Sequence, residues 1–230
     1  MNKINKSCII GKSPNSKLMR EYKASLFSLN KIQYEASIGL MLGDASLQTQ
    51  NKGKTYRMKF EWGNKQIAYS NHVFNLFDEW VLSFPHKKER YSPKGNLVIN
   101  WGFQTISHNT FNFLAELFIN NNKKSVQINL IKNHLTARGL AYWFMDDGGK
   151  LDYNLNSKNT SVVFNTQSFS ESEVSQMVKE LSDKFRLNCN IRENKGKKVI
   201  VIKSESYPIF LDLVRPYIIS EMMFKLPKIS

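Results

Sequence analysis

Leu140-Ala-Tyr-Trp-Phe-Met-Asp-Asp-Gly-Gly149 reads as an apolar helix that runs straight into two carboxylates and two glycines. Helix dipoles favour acids in the first turn and bases in the last, while glycines belong just past the C-terminus. Asp146 and Asp147 therefore occupy the end where they cost stability, in a chain of formal net charge +14. A local choice that opposes stability points to function.

A second copy lies about 100 residues upstream. Tyr34–Leu42 (YEASIGLML) is the same kind of apolar run and ends in Gly43-Asp44. The segments downstream of the two copies also match. Tyr56–Trp62 and Ser161–Gln167 are strand-like. Amphipathic helices are expected near Asn71–Leu82 and Glu171–Phe185, the second with a capping box at Ser170 and Glu173. Strands near Asn96–Gly102 and Lys198–Ser204 come next, then apolar helices around Phe111–Ile119 and Ile209–Ile218, then Lys124 and Lys225. Asp44 to Lys124 spans 80 residues and Asp147 to Lys225 spans 78. The repeat implies a basic extension over 1–33 and two pseudo-symmetric halves, 34–130 and 131–230. Duplex DNA has local two-fold symmetry too, so a two-fold chain suits a duplex more than a single strand.

The bulk properties agree. Lys+Arg is 33 against 19 Asp+Glu, which points to a polyanionic partner, nucleic acid first. No apolar run reaches the roughly 20 residues of a membrane span, and the N-terminus lacks the apolar core of a secretion signal. Cys8 and Cys189 have no metal-type spacing and read as free thiols. Gly11-Lys12-Ser13 resembles the tail of a P-loop, but Lys6 stands where its first glycine belongs, so no nucleotide cofactor is expected. The four histidines are scattered, and the four tryptophans read as core.

If the two apolar helices pack together, Gly39 and Gly43 provide a groove for close approach, and Asp44 and Asp147 end side by side. Adjacent carboxylates repel unless a cation separates them, and Mg²⁺ suits such oxygen ligands. A divalent cation among acids in a basic protein suggests phosphodiester hydrolysis.

Ser37-Ile-Gly-Leu-Met-Leu-Gly-Asp-Ala45 and Leu140-Ala-Tyr-Trp-Phe-Met-Asp-Asp-Gly148 resemble two copies of the LAGLIDADG motif. The chain is similar to the single-chain, two-motif homing endonucleases, and within them to the omega-intron type of yeast mitochondria. PNSKL, GKTY, FEW, HKKER, GNLVI, NNKK, NTQSF and MMFKLP extend the likeness over nearly the whole chain. The resemblance implies an α+β fold of two αββαββα halves, a two-helix central interface, and a saddle of antiparallel sheets over double-stranded DNA. It implies a metal-dependent monomer that cuts a long asymmetric site, leaves short 3′ overhangs and serves intron homing in mitochondria. Mn²⁺ is expected to substitute for Mg²⁺, and Ca²⁺ to bind without cleavage. The eighth motif position, the metal-binding acid, falls on Asp44 and Asp147. The seventh-position Gly43 and Asp146 are carried as further candidate ligands, Asp146 behind Asp147. The active-site lysines fall on Lys124 and Lys225. Glu61 and Asn165, which come directly after the matched Phe60 and Phe164, are candidate polar groups beside the site. Motif one has Ser37, Leu42 and Ala45 for Leu, Asp and Gly; motif two has Tyr142-Trp143 for Gly-Leu. These departures bear on helix packing and leave both acids in place. The alternative role within the family is an RNA maturase that binds its own intron.

Basic stretches at Pro85–Arg90 and Glu193–Lys198 read as loops suited to phosphate neutralisation, with Lys87, Lys88, Arg90, Lys195, Lys197 and Lys198 as candidate contacts. Arg57, Lys59, Arg192 and Asn194 are candidates for reading bases from strands. Asn15 and Lys17 are candidate contacts in the N-terminal extension.

Overall fold

Arg57-Met-Lys-Phe-Glu-Trp-Gly63 alternates at every step and folds as that pattern requires, with Met58, Phe60 and Trp62 buried and Arg57, Lys59 and Glu61 on the other face. The computed structural model describes residues 4–154 and 157–228. Residues 1–3 of the expected extension, and 155–156 and 229–230 of the expected second half, lie outside the described residues. Helix α1 (Lys17–Ser25) precedes the first motif helix α2 (Lys31–Leu42). Next in the chain are strands β1 (Ser46–Gln48) and β2 (Arg57–Gly63), helix α3 (Ile67–Leu76), strands β3 (His86–Tyr91) and β4 (Leu97–Gln104), and helix α4 (Asn112–Phe118). A small hairpin, β5 (Ile119–Asn120) and β6 (Lys123–Lys124), and a short helix α5 (Leu130–His134) lead to the second motif helix α6 (Ala137–Asp147). Then come β7 (Gly148–Lys150), β8 (Val162–Phe164), α7 (Glu171–Phe185), β9 (Cys189–Asn194), β10 (Lys197–Ile202) and α8 (Tyr207–Val214). The order αββαββα thus occurs twice.

Sheet topology repeats as well. The strand orders are β1-β2-β4-β3 and β7-β8-β10-β9, and every pairing is antiparallel. The chain divides into two compact units. One holds residues through Gln33 with Ala45–Ala115; the other holds Tyr34–Asp44 with Glu116 onward. In the first unit α3 covers the apolar face of β2 and β4, where Phe60, Trp62, Tyr69, Val73, Phe77 and Phe103 are buried. In the second, α7 covers β9 and β10, and Trp143, Phe144, Phe164 and Phe210 pack tilted or edge to face at centroid distances of 4.4–6.1 Å. Both motif helices belong to this second unit from Tyr34 onward.

The two basic stretches expected as loops are largely strand. His86–Tyr91 is β3, and Glu193–Asn194 closes β9. Both are edge strands in their sheets. Edge strands carry charge on both faces, which erases alternation and protects the edge from further pairing. Only Lys195-Gly196 turns, with φ of 53° and 73°, the positive pair that a two-residue hairpin needs. Helix α3 starts earlier than expected and stops at Leu76; Phe77 and Trp80 remain buried through a 3₁₀ turn, Asp78–Trp80. Trp62, Trp80 and Trp143 are core, whereas Trp101 is half-buried and donates to Asn64 at 2.8 Å.

The capping box of α7 forms: Ser170 Oγ accepts from the Glu173 amide, and Glu173 accepts from the Ser170 amide at 2.7 Å. Glu173 also accepts the Val126 amide at 2.7 Å. Ser170→Ala should therefore cost about 1 kcal/mol, a fall of about 2–4 °C in Tm by calorimetry. An unchanged Tm would mean the box contributes nothing to α7.

Candidate active site

The two motif helices touch backbone to backbone. A Cβ on Gly39 would lie 2.0 Å from the Gly139 carbonyl oxygen and 3.0 Å from the Trp143 amide nitrogen. A Cβ on Gly43 would lie 2.4 Å from Asp146 Oδ2. Glycine is thus required along this face of α2 for space. Farther toward the helix starts, Arg138 Nε bonds to Glu35 at 3.0 Å, and Tyr34 Oη meets His134 Nδ1 at 2.8 Å. Gly148 is also needed for space: its Cβ would strike the Phe144 ring at 2.1 Å, and its φ of −86° is ordinary.

This packing sets the ends of α2 and α6 together and brings both acids with them. Asp44 keeps a solvent-exposed side chain and Asp147 is half-buried. Protein packed around Asp44 raises its carboxyl pKa, and Lys124 and Lys225 pull it part of the way back. Burial, and then the charge of Asp44, push Asp147 up to about 7 against the same lysines. The repulsion expected of adjacent carboxylates is therefore present.

The lysines explain how acids survive at helix C-termini. Lys124 Nζ donates to the Gly43 carbonyl at 2.6 Å, and Lys225 Nζ donates to the Asp146 carbonyl at 2.9 Å. The two bonds are repeat-equivalent, and each ammonium satisfies a helix-end carbonyl where the dipole favours positive charge. Burial lowers the pKa of both lysines, and Asp44, Asp146 and Asp147 oppose that shift. Asn165 holds the other side: its amide and its Nδ2 both donate to the Asp147 carbonyl at 2.9 Å.

The donor chemistry fits a hard divalent cation. Two carboxylates face a common region, and the pKa of Asp147 stays raised despite the two lysines. Among the described residues no three His, Cys, Asp or Glu side chains form a metal cluster. A cation here would complete its shell with water and substrate oxygens, the habit of Mg²⁺.

Residues 34–210 match the LAGLIDADG DNA endonuclease family. The chain belongs to that family. It is 46% identical to a probable intron-encoded endonuclease 1 of Wickerhamomyces canadensis, over 97% of this chain and 96% of that one. Its fold matches the structure of the homing endonuclease I-WcaI bound to its DNA recognition sequence, with a TM-score of 0.93 and 46% identity over 97% of this chain and 98% of that one. It is also 32% identical to the cytochrome b mRNA maturase bI2 of Saccharomyces cerevisiae, over 82% of this chain and 45% of that protein.

Seen as LAGLIDADG motifs, the two helix ends differ. In motif two, Tyr142 and Trp143 replace the Gly-Leu pair, and both are buried. The close approach is supplied instead by Gly139, immediately before the motif. Its signal in the sequence is a small residue one turn ahead of Trp143. Of the seventh-position residues, Gly43 has only its carbonyl to offer, and Lys124 takes it. The Asp146 carboxylate is buried and accepts the Asp44 amide at 3.1 Å. Both are occupied supporting the helix ends.

Sheet register sorts the basic residues. Arg57, Lys59 and Glu61 share the polar face of the first sheet with Lys88, Arg90 and Asn100. Glu61, in the other compact unit from Asp44, is bonded to Lys88 at 2.7 Å and Asn100 at 2.9 Å, and these bonds lower its pKa. Asn15 shares a groove of about 890 Å³ with Arg57, His86 and Gln104, while Lys17 pairs with Glu21 at 3.8 Å on α1. On the second sheet Arg192, Asn194 and Lys197 share the polar face, Lys195 sits in the hairpin turn, and Arg192, Asn194 and Asn165 line a cavity of about 390 Å³. Two candidates lie on the opposite, helix-side faces. Lys87 aligns with Trp101 and pairs with Glu89 at 2.5 Å; Lys198 pairs with Glu171 and Glu193 at 3.6 and 3.7 Å. Adjacent strand residues point to opposite faces, so a basic run divides between them.

Proposed function

We propose that this protein is a site-specific double-strand DNA endonuclease of intron homing that hydrolyses phosphodiesters with a divalent cation. The observation that carries this reading is the pair Asp44 and Asp147, set at adjoining helix ends by the Gly39–Gly139 contact and flanked by two lysines. Asp44 and Asp147 would each hold a divalent cation for one strand and share the space between them, with Mg²⁺ first, Mn²⁺ as substitute and Ca²⁺ supporting binding alone. Bound there, it would supply charge neutralisation at the scissile phosphates and acidify a water. The chain's own residues do the rest. Lys124 and Lys225 fix the helix ends and offset the acids' charge. Asn165 fixes Asp147 through its carbonyl, and Asp146 and Gly43 serve as supports. Glu61, with Lys88 and Asn100, belongs to a polar sheet face. Arg57, Lys59, Lys88, Arg90, Arg192, Asn194, Lys195 and Lys197 meet the duplex, with Asn15 and Lys17 adding backbone contacts. The protein acts as a monomer in the mitochondrial matrix, on a long asymmetric site, and leaves short 3′ overhangs.

The face assignment has a direct test. Arg192→Ala should weaken binding to duplex DNA and reduce the salt slope by about one unit, whereas Lys198→Ala should leave the slope unchanged. Equal effects in fluorescence-anisotropy titrations would reject the division by faces.

Likeness to a cytochrome b mRNA maturase supports a second reading, an RNA-binding splicing cofactor. The acid pair favours the nuclease, because RNA binding alone leaves two repelling carboxylates unexplained. Supercoiled plasmids carrying the I-WcaI recognition sequence, or an intronless large-ribosomal-RNA gene segment of the omega type, decide between them. Linearisation with Mg²⁺ and a single staggered cut is expected. Intron RNA bound tightly, with neither plasmid bound or cut, would put the maturase first.

A further inference from the structure

Asp44 and Asp147 are repeat-equivalent, but their backbones are held by different devices. Helix α6 runs through Asp147, the next amide (Gly148) still bonds to Phe144, and the Asp147 carbonyl takes both bonds from Asn165. Helix α2 stops at Leu42. The Gly43 amide still reaches the Gly39 carbonyl at 3.0 Å, but the Asp44 amide bonds instead to Asp146 Oδ2 at 3.1 Å. Asp146 is 7% exposed and lies against Gly43, whose missing side chain admits it. No reciprocal bond can form, because the repeat-equivalent of Asp146 is Gly43 itself. A third carboxylate beside two others is electrostatically costly. What it provides is a charge-assisted bond that holds one catalytic backbone, a role a solvated helix end would not fill.

We propose that Asp146 is a positioning residue for one strand only: its buried carboxylate holds the Asp44 backbone and thereby sets the cut that depends on Asp44, while the cut that depends on Asp147 rests on Asn165. This builds on the endonuclease reading above. The two strands then respond unequally to loss of one side chain that touches neither.

The test compares Asp146→Ala with Asp146→Asn, which keeps an oxygen acceptor and removes the charge. On a supercoiled plasmid carrying a cleaved site, Asp146→Ala should accumulate nicked circles. The slowed strand should be the one lost in Asp44→Asn, by about 10–100-fold, as for other groups that orient a metal ligand. Asp146→Asn should restore part of that strand's rate. Equal slowing of both strands, or loss of the strand that Asp147→Asn loses, would overturn the proposal. A second measurement needs no DNA. Amide hydrogen exchange by NMR should show Asp44 exchanging about 10-fold faster or more in Asp146→Ala, the worth of one hydrogen bond to a charged group. In Asp146→Asn, whose neutral oxygen accepts a weaker bond, it should fall between wild type and Asp146→Ala. Unchanged Asp44 exchange in Asp146→Ala overturns the anchor whatever the cleavage result. Wild-type protein that cuts no site overturns the endonuclease reading and the strand assignment with it, and exchange still decides whether Asp146 holds Asp44.

Discussion

Asp44→Asn and Asp147→Asn are each expected to abolish double-strand cutting with Mg²⁺ while tight, salt-dependent binding to duplex DNA survives. Asparagine keeps the shape and removes the charge, so the Gly39–Gly139 contact and both lysine–carbonyl bonds stay in place. What goes is half of the hard-oxygen pair, worth at least about 4 kcal/mol of transition-state stabilisation, or about three orders of magnitude in rate. Cutting of both strands by either variant at the wild-type rate would end the assignment. A pH signature accompanies it. Asp147 is raised from 3.8 to about 7, so without a cation the folded protein holds a proton that the unfolded chain releases. Its contribution to stability is therefore present at pH values below about 4 and is lost as pH rises to about 7. Across that window the metal-free Tm of the wild type should fall relative to that of Asp147→Asn. A divalent cation should raise Tm more at pH 8 than at pH 6, because below pH 7 it competes with the proton. A metal-free Tm with the same pH profile in wild type and Asp147→Asn would show that Asp147 titrates normally.

The elements that position this site are legible in the sequence because their patterns are strong. The alternation at Arg57–Gly63, the capping box at Ser170 and the two apolar runs ending in acid each state their structure locally. Near-equal spacing from Asp44 to Lys124 and from Asp147 to Lys225 carries the repeat. What stays hidden depends on partners that a segment's own residues do not show. β3 and β9 owe their strand character to β4 and β10, so their own residues, His-Lys-Lys-Glu-Arg-Tyr and Cys-Asn-Ile-Arg-Glu-Asn, show little alternation. Lys87 and Lys198 are separated from their basic neighbours by pleat parity, which cannot be assigned until those segments are known to be strands. Asp146 reads as a spare ligand because its hydrogen bond goes to an amide 102 residues away. Gly139 does not stand out because it lies one position outside the motif.

Gly39→Ala is expected to be among the most damaging single-methyl changes in the protein. The added Cβ would stand 2.0 Å from the Gly139 oxygen, 2.8 Å from the Gly139 carbonyl carbon and 3.0 Å from the Trp143 nitrogen. All three are backbone atoms of α6, so no rotamer change relieves the clash, and the helices must move apart. Overpacking that can relax through side chains costs about 1–3 kcal/mol; here at least about 3 kcal/mol is expected, lowering Tm by about 6–12 °C. The consequence for chemistry is larger than for stability. Asp44 and Asp147 ride on the two helix ends that this contact holds together, and a displacement of about 1 Å at a reacting centre can cost about 100-fold in rate. Gly139→Ala meets the Glu35 backbone oxygen and the Leu135 methyl at 2.9 Å and should be milder, because the backbone oxygen is 2.9 Å away rather than 2.0 Å and the leucine methyl can turn aside. Gly63→Ala, with nothing within 4 Å, is the control and should leave Tm and cutting unchanged. Calorimetry and plasmid cleavage on the three variants give the ranking, Gly39 worst and Gly63 silent. A Gly39→Ala protein as stable and active as the Gly63 control would mean that the helices do not meet at Gly39, and that the acids are brought together by something else.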